Sequence, residues 1–140
     1  MARNDRLVRL HQQKTGNLNG AADGTYTAMN TLLMHQVQTG TLSARCVLDI
    51  ETNLITVKAV WQVSADGTTW EIVQPENGAA YVALGTGTGG ADATVTRHVN
   101  APSAVYGALY ARVALLNEAA AGLVADTYDV SYSFVLDDLS

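Results

Sequence analysis

Apolar and polar residues alternate over four long segments of this sequence, and the alternation constrains the fold more than any other feature. In 54–64, for example, apolar residues from Ile55 to Val63 are separated by polar residues such as Lys58 and Gln62. Successive side chains of a β-strand point to opposite faces of its sheet, so each segment predicts a strand with one buried face. The other three segments are 41–51, 107–116 and 127–136. The residues predicted to face inwards are Leu42, Ala44, Cys46, Leu48, Ile50, Ile55, Val57, Ala59, Trp61, Val63, Leu109, Ala111, Val113, Leu115, Tyr128, Val130, Tyr132, Phe134 and Leu136.

Strands with one apolar face must bury that face against a second layer, which predicts two sheets packed face to face. Shorter strands fit at 69–74, 80–84 and 92–98, giving about seven or eight strands in all. The sequence therefore predicts an all-β fold, an antiparallel β-sandwich of the jelly-roll or immunoglobulin-like kind.

Residues 25–38, TYTAMNTLLMHQVQ, are compatible with two structures. A helix would align Tyr26, Met29, Leu33 and Val37 on one side. Two strands would use the Thr-rich start and the LLMHQV run. We favour strands here, because every segment that follows is β-patterned.

The N-terminal segment differs in composition from the rest, and we assign residues 1–24 to an arm and linker and residues 25–140 to the sandwich domain. Turn-forming and linker residues dominate between Lys14 and Asp23. The arm itself is predicted to be either extended or a short helix that begins at Asn4 or Asp5 and ends near Gly16.

Charge is distributed unevenly along the chain. The first fourteen residues carry Arg3, Arg6, Arg9 and Lys14 against the single acid Asp5, a net charge of +3. The remaining four cations are opposed by twelve acids, a net charge of −8. A basic arm on an acidic body is compatible with a solvated terminus, with docking on an acidic protein surface, or with nucleic-acid contact.

Direct nucleic-acid contact is disfavoured, because the arm has no interleaved aromatic residues and the acidic body would repel phosphates. We expect the arm to dock on a protein. A charged share of only 15% against 48% hydrophobic residues is low for a soluble monomer and favours assembly. The predicted docking residues are Arg3, Arg6, Leu7, Arg9, Leu10 and Lys14.

The stretch WQVSADGTTWEIV, residues 61–73, predicts a hairpin with a tryptophan on each arm. Asp66 and Gly67 form the turn, since glycine adopts the positive φ that tight turns need. The two-residue period of the strand places Trp61 on the inward face. Trp70 begins the return strand, where its ring would cover the end of the sandwich. We interpret both rings as fold-defining; the alternative is a stacking surface for a sugar or base.

This hairpin resembles the strand, Ser-x-Asp-Gly, Trp signature of small β-sandwich proteins of tailed phages. The Gly-rich start GNLNGAADGTYT, the linker GTGTGGADATVT and the closing strands YGALYARVALLNE and TYDVSYSFV are similar as well, so the likeness spans roughly residues 15–137. The basic segment before it and the length of 25–38 depart from the simplest pattern. The Asp-Gly-Trp hairpin is also similar to one in discoidin-type domains, which bind sugars or lipids.

The resemblance implies a structural virion protein. Its expected role is capsid decoration: binding to the outer surface of a phage head, with the major capsid protein or another virion protein as partner. A homo-oligomer, a trimer, is implied by the resemblance alone. The alternatives are a tail or neck component, and a surface module that binds host glycans through Trp70, Tyr81 and the loop near 85–90.

Catalytic, cofactor and metal sites are not expected. GTGTGG matches a dinucleotide-binding glycine pattern, yet the β-patterned ADATVTRHV follows it where a helix would be required. His11, His35 and His98 are far apart in sequence and have no metal-binding spacing. Cys46, the single cysteine, falls on an apolar strand face and is predicted to be a buried thiol. The chain is therefore expected not to be an enzyme.

The sequence contains no apolar run of the roughly 18 residues that a membrane-spanning helix needs, and the first residues lack the apolar core of a signal peptide. We expect synthesis in the host cytoplasm, no membrane contact and, from the resemblance, a final location on the virion.

Overall fold

A computed structural model of the chain describes residues 6–9, 13–34, 40–50, 55–73, 82–86, 93–119 and 126–136. The four alternating segments all form long strands. They are β5 (Gly40–Ile50), β6 (Ile55–Ser64), β10 (Tyr110–Ala119) and β11 (Thr127–Leu136). The remaining elements are β1 (Arg6–Arg9), β2 (Lys14–Asn17), β3 (Tyr26–Ala28), β4 (Leu32–Leu33), β7 (Glu71–Val73), β8 (Val82–Thr86), β9 (Ala93–Asn100) and the one-turn helix α1 (Ser103–Tyr106).

The strands form two antiparallel sheets. In the first, which we call sheet A, the order is β1-β11-β5-β9. Strand β2 also pairs with β11, over 127–130, whereas β1 pairs with 133–136. In the second, sheet B, the order is β3-β10-β6-β7; β4 also pairs with β10, and β8 with β6. The predicted antiparallel β-sandwich is confirmed.

The core lies between the two sheets and is made by the inward faces that the alternation predicts. Leu42, Cys46, Val113 and Val130 are fully buried, and Trp61 is 3% exposed. Burial raises the pKa of the Cys46 thiol to about 12, because the thiolate would lose its hydration, so the cysteine is the inert buried residue predicted.

Two tyrosine hydroxyls connect the layers at their centre and at one end. Tyr132 Oη, on sheet A, accepts a hydrogen bond from Val113 N of sheet B at 2.8 Å and donates one to the Asn30 carbonyl at 2.9 Å. Tyr106 Oη accepts from Leu42 N at 2.7 Å and so ties α1 to the start of β5. These bonds satisfy buried polar groups and fix the position of one sheet against the other.

The helical alternative for the N-terminal arm is wrong, because β1 and β2 are extended and both pair with β11. Arg6 is opposite Leu136, and Lys14 is opposite Val130. Gly16 lies so close to Tyr128 that an added Cβ would stand 2.6 Å from its hydroxyl oxygen, so a side chain there would displace that tyrosine. The extended alternative holds for the residues of β1 and β2. The domain boundary between the arm and the sandwich at residue 24 stays a prediction.

The preference for strands in 25–38 is confirmed for β3 and β4, whereas 35–39 lie outside the described residues. Among the predicted inward residues whose side chains the structure describes, one assignment is wrong: Leu109 is 59% exposed. Helix α1 and the turn after it occupy 103–109, so β10 begins only at Tyr110. The two-residue alternation of this strand therefore does not extend back to Leu109.

Candidate functional site

A cleft opens at the end of the sandwich where β6 leaves sheet B. Its volume is about 520 Å³, and it lies between the 64–71 hairpin and α1. One wall is apolar, from Val63, Ala104, Ala108 and Leu109. The remaining described lining residues are Ser64, Ala65, Asp66, Thr69, Glu71 and Gly107. Among the described lining residues there are two carboxylates and no basic side chain.

The hairpin that forms one side of the cleft is built on Ser64 and Asp66. Asp66 Oδ1 accepts hydrogen bonds from the backbone N–H groups of Thr68 and Thr69, both at 2.8 Å, and from Ser64 Oγ at 2.9 Å. Gly67, at φ +78°, donates its N–H to Ser64 Oγ at 2.9 Å. Asp66 and Gly67 lie in the connection between β6 and β7, which is longer than a two-residue turn and spans 65–70.

The same hydrogen bonds keep Asp66 ionised. The N–H groups of Thr69 and Thr68, followed by the Ser64 hydroxyl, lower the pKa of its carboxyl from 3.8 to about 2, because each stabilises the charged form. The cleft therefore carries a fixed negative charge under physiological conditions.

Trp70 lies on the outer side of sheet B and is covered on one ring face. The Arg112 guanidinium carbon is 4.0 Å from the ring centroid, a cation–π contact, and Arg112 Nε donates to Gln62 Oε1 at 2.8 Å. A sugar would have to stack on the opposite face of this ring. Of the other residues in the glycan-binding alternative, Tyr81 and 87–90 lie outside the described residues, while Gly85 and Thr86 end β8.

Trp61 lies in the core, as predicted, with its ring centroid 5.8 Å from that of Tyr132. The two tryptophans thus have different surroundings: one ring packs between the sheets, and the other lies half-buried beneath an arginine on the surface.

The structure separates the predicted docking residues. Arg6, Leu7 and Arg9 belong to β1, and Lys14 donates from Nζ to the Ala28 carbonyl at 2.9 Å, a contact that links β2 to β3 across the two sheets. Arg3 and Leu10 lie outside the described residues.

Sequence reasoning missed an apolar surface on the outside of sheet B. Tyr26, Leu33 and Ile72 are 40%, 42% and 36% exposed, and their registers opposite Leu116, Tyr110 and Gln62 place all three on the outer face. The sequence signal that was available is the presence of apolar residues on both faces of β4 and β10, whereas a two-residue period assigns them to one face only.

Among the residues that the structure describes, no three His, Cys, Asp or Glu side chains are grouped so that they could hold a metal ion. Within the same part of the chain, no helix is both long and apolar enough to cross a membrane.

No protein-family model and no curated protein matches the chain. Several solved structures have a similar fold. A chain of infectious bursal disease virus, Gx strain, has a TM-score of 0.45 at 13% identity over 100% of this chain. The VP2 subviral particle of the same virus has a TM-score of 0.41 at 13% identity over 97% of it.

The chain spans about a third of the length of these viral chains, 34% and 33% respectively. A xylan-binding domain, CBM22-1 of Xyn10C from Paenibacillus barcinonensis, has a TM-score of 0.43 at 9% identity, with 99% of this chain and 83% of that one covered. Because β-sandwiches serve unrelated functions, these similarities do not discriminate between a virion role and a carbohydrate-binding role.

Proposed function

We propose that this chain is a structural protein of a phage virion that binds the outer surface of the head and reinforces it. The observation that carries the proposal is the placement of large apolar side chains in solvent on one outer face. Of the four exposed large hydrophobic residues among the described side chains, three lie on the outside of sheet B.

Large apolar residues exposed on the same face favour a surface that contacts protein. The outer face of sheet A supplies the contrast. It carries residues such as Ser43, Arg45, Asp129 and Ser131, which are exposed or half-buried and suit solvent. We therefore propose that the outer face of sheet B contacts the shell and that the outer face of sheet A faces solvent.

The function follows from mass action. A protein that binds the closed shell and not the separated subunits stabilises the shell by its free energy of binding, and many copies multiply the effect. The hydrogen bonds of Tyr132 between the sheets and of Tyr106 between α1 and β5 supply the stiffness that such a clamp requires. No chemical step is needed, and we propose binding without catalysis.

The test compares charge insertions on the two outer faces. Leu33→Asp and Ile72→Asp place a carboxylate on the proposed contact face, and Thr41→Asp and Thr127→Asp place one on exposed positions of sheet A. We expect the sheet B variants to lose at least about tenfold in affinity for particles that lack the protein, and the sheet A variants to bind as the parent does.

Particles are then heated with and without bound protein, and DNA release is followed by dye fluorescence. Equal release temperatures would overturn the reinforcing role. Full occupancy by both sheet B variants would overturn the contact face.

A further inference from the structure

We propose that Asn19 is a site of spontaneous covalent modification, at which the side-chain amide is lost and part of the protein acquires an isoaspartyl linkage in its main chain. Asparagine is one of the thermolabile residues of proteins, and the reaction takes up only water and releases ammonia. The site goes beyond the virion role proposed above and does not depend on it. It is defined by the glycine that follows, by the exposure of the pair and by the anchoring of the turn that holds it.

Asn19 and Gly20 occupy the two central positions of an exposed turn between β2 and β3. The turn is closed by Ala21 N, which donates to the Leu18 carbonyl at 3.0 Å. Gly20 has φ +79°, the positive value that the third residue of a type II turn needs. Both central residues are exposed, whereas Leu18 and Ala21 at the two ends are buried. The turn therefore holds the Asn-Gly pair in solvent between two buried residues.

The groups that react with each other are accessible in this turn. The main-chain nitrogen of Gly20 attacks the side-chain carbon Cγ of Asn19, and the bond that closes the turn uses the N–H of Ala21 instead. Within the described part of the chain the space around Gly20 is open, with no atom beyond its chain neighbours within 4 Å of the place where a Cβ would stand. Glycine also lets the backbone rotate so that the nitrogen can approach Cγ.

The reaction conserves every atom. A bond forms between Gly20 N and Asn19 Cγ, and the side-chain nitrogen leaves as ammonia with the proton from Gly20 N. Water then opens the resulting succinimide ring at one of its two carbonyl carbons. Opening at Cγ gives an aspartyl residue at position 19, and opening at the main-chain carbonyl gives an isoaspartyl residue, in which the chain runs through Cγ.

A longer main chain would disturb a connection that is held at several points. Leu18 N donates to the Asp126 carbonyl, and Gly24 N donates to the Asn117 carbonyl, both at 2.8 Å. The Asn117 side chain donates from Nδ2 to the Ala21 carbonyl, also at 2.8 Å. These bonds fix the segment that leads from β2 of sheet A to β3 of sheet B. An isoaspartyl residue inserts a methylene between Leu18 and Ala21, so we expect the closing bond of the turn and the anchor at Ala21 to weaken.

The other described asparagines serve as internal controls, because none of them precedes a glycine. They are Asn17, Asn30, Asn100 and Asn117, followed by leucine, threonine, alanine and glutamate in turn. Asn100 is the matched control, since it is exposed like Asn19 but is followed by Ala101. Asn77 precedes a glycine as well; it lies outside the described residues and is monitored in a separate peptide.

The first experiment ages the purified chain at mildly alkaline pH and maps its tryptic peptides by mass spectrometry. Cleavage after Lys14 and Arg45 isolates residues 15–45, and fragment ions assign the change within that peptide. We expect a gain of about 1 Da at Asn19, because a hydroxyl replaces the amide NH₂, and an isoaspartyl isomer that chromatography separates. The change should be at least about tenfold faster than at Asn100. An Asn19 that reacts no faster than Asn100 would overturn the proposal.

Asn19→Gln is the variant that blocks the reaction. Its amide would have to close a larger ring, and the substitution avoids the strain that a side chain at Gly20 would meet at positive φ. The mass gain in residues 15–45 should disappear. Asn100→Gln removes another exposed amide and should leave the rate at Asn19 unchanged. A gain that persists in the Asn19 variant would assign the chemistry to another residue, against the proposal.

The second experiment separates the added charge from the altered main chain. The isoaspartyl form is purified from the aged sample and unfolded in urea beside the parent and Asn19→Asp, which gains the same charge with a normal chain. We expect the isoaspartyl form to unfold at a lower urea concentration, and Asn19→Asp to unfold as the parent does, because position 19 is exposed. Neither experiment uses particles, so failure of the virion role would not change these outcomes. An isoaspartyl form as stable as the parent would contradict the inferred effect on the connection between the sheets.

Discussion

The outer faces of sheets A and B come from strands with the same alternating pattern, yet their surroundings differ. On sheet A the described outward residues of β5 and β11 are polar apart from Val47 and reach solvent, as Arg45 and Ser131 do. On sheet B, Val60 and Ala114 face outwards opposite each other and are 2% and 0% exposed. Large apolar residues are exposed around them. The comparison teaches that a period of two identifies the two faces of a strand, whereas the tertiary structure decides whether the outer face meets water.

The largest difference in the free energy of unfolding is expected when an aspartate is introduced at the centre of each outer face in turn. Ala114→Asp buries a charge among apolar neighbours and should lower the free energy of unfolding by at least about 3 kcal/mol. Ser131→Asp, which is opposite Arg45 on sheet A, should change it by less than about 0.5 kcal/mol. Urea unfolding followed by circular dichroism measures both. Equal losses would mean that the two faces do not differ in burial.

A second expectation concerns the bonds that hold the two layers in register. Tyr132→Phe leaves Val113 N and the Asn30 carbonyl without their partner and should cost about 1–3 kcal/mol. Tyr106→Phe removes one acceptor, for Leu42 N, in a less buried place, and should cost less, about 1 kcal/mol. The same urea titration applies. A reversed order would show that the end contact matters more than the central one.

Replacing an arginine on each outer face should give a smaller difference in the free energy of unfolding. Arg112 lies over Trp70 and donates to Gln62, so Arg112→Ala should cost about 1 kcal/mol and change the fluorescence of Trp70. Arg45 is exposed on sheet A, and Arg45→Ala should be neutral within about 0.5 kcal/mol. Fluorescence that is unchanged in the Arg112 variant would contradict the stacking.

The smallest effect is a local one in the hairpin at the end of sheet B. The pKa of Asp66 is lowered to about 2, so its contribution to turn stability is present above its ordinary value of 3.8 and is lost as pH falls through about 2. The amide resonances of Thr68 and Thr69 should move in that range, with those of sheet A unaffected. In Asp66→Asn the acid transition should disappear from both amides; its persistence would assign it to another group.

The period of two in the sequence determined most of this architecture: four long strands, the inward residues from Leu42 to Phe134, and the two-layer fold. Asp66 and Gly67 likewise determined the hairpin, because carboxylate-to-amide bonds and a positive φ are local properties of those residues. Charge counting identified the basic N-terminal segment, whose docking role stays a prediction.

Only the tertiary structure decided the rest. It placed Arg6–Arg9 and Lys14–Asn17 in edge strands, since pairing with β11 supplies hydrogen bonds that the local sequence does not reveal. It exposed Leu109 by placing α1 before β10, and it left Tyr26, Leu33 and Ile72 in solvent. It also brought Glu71 and Leu109, 38 residues apart in sequence, to one cleft. Period and propensity act over a few residues, whereas burial and juxtaposition depend on which strands pair, and that is settled by contacts between distant parts of the chain.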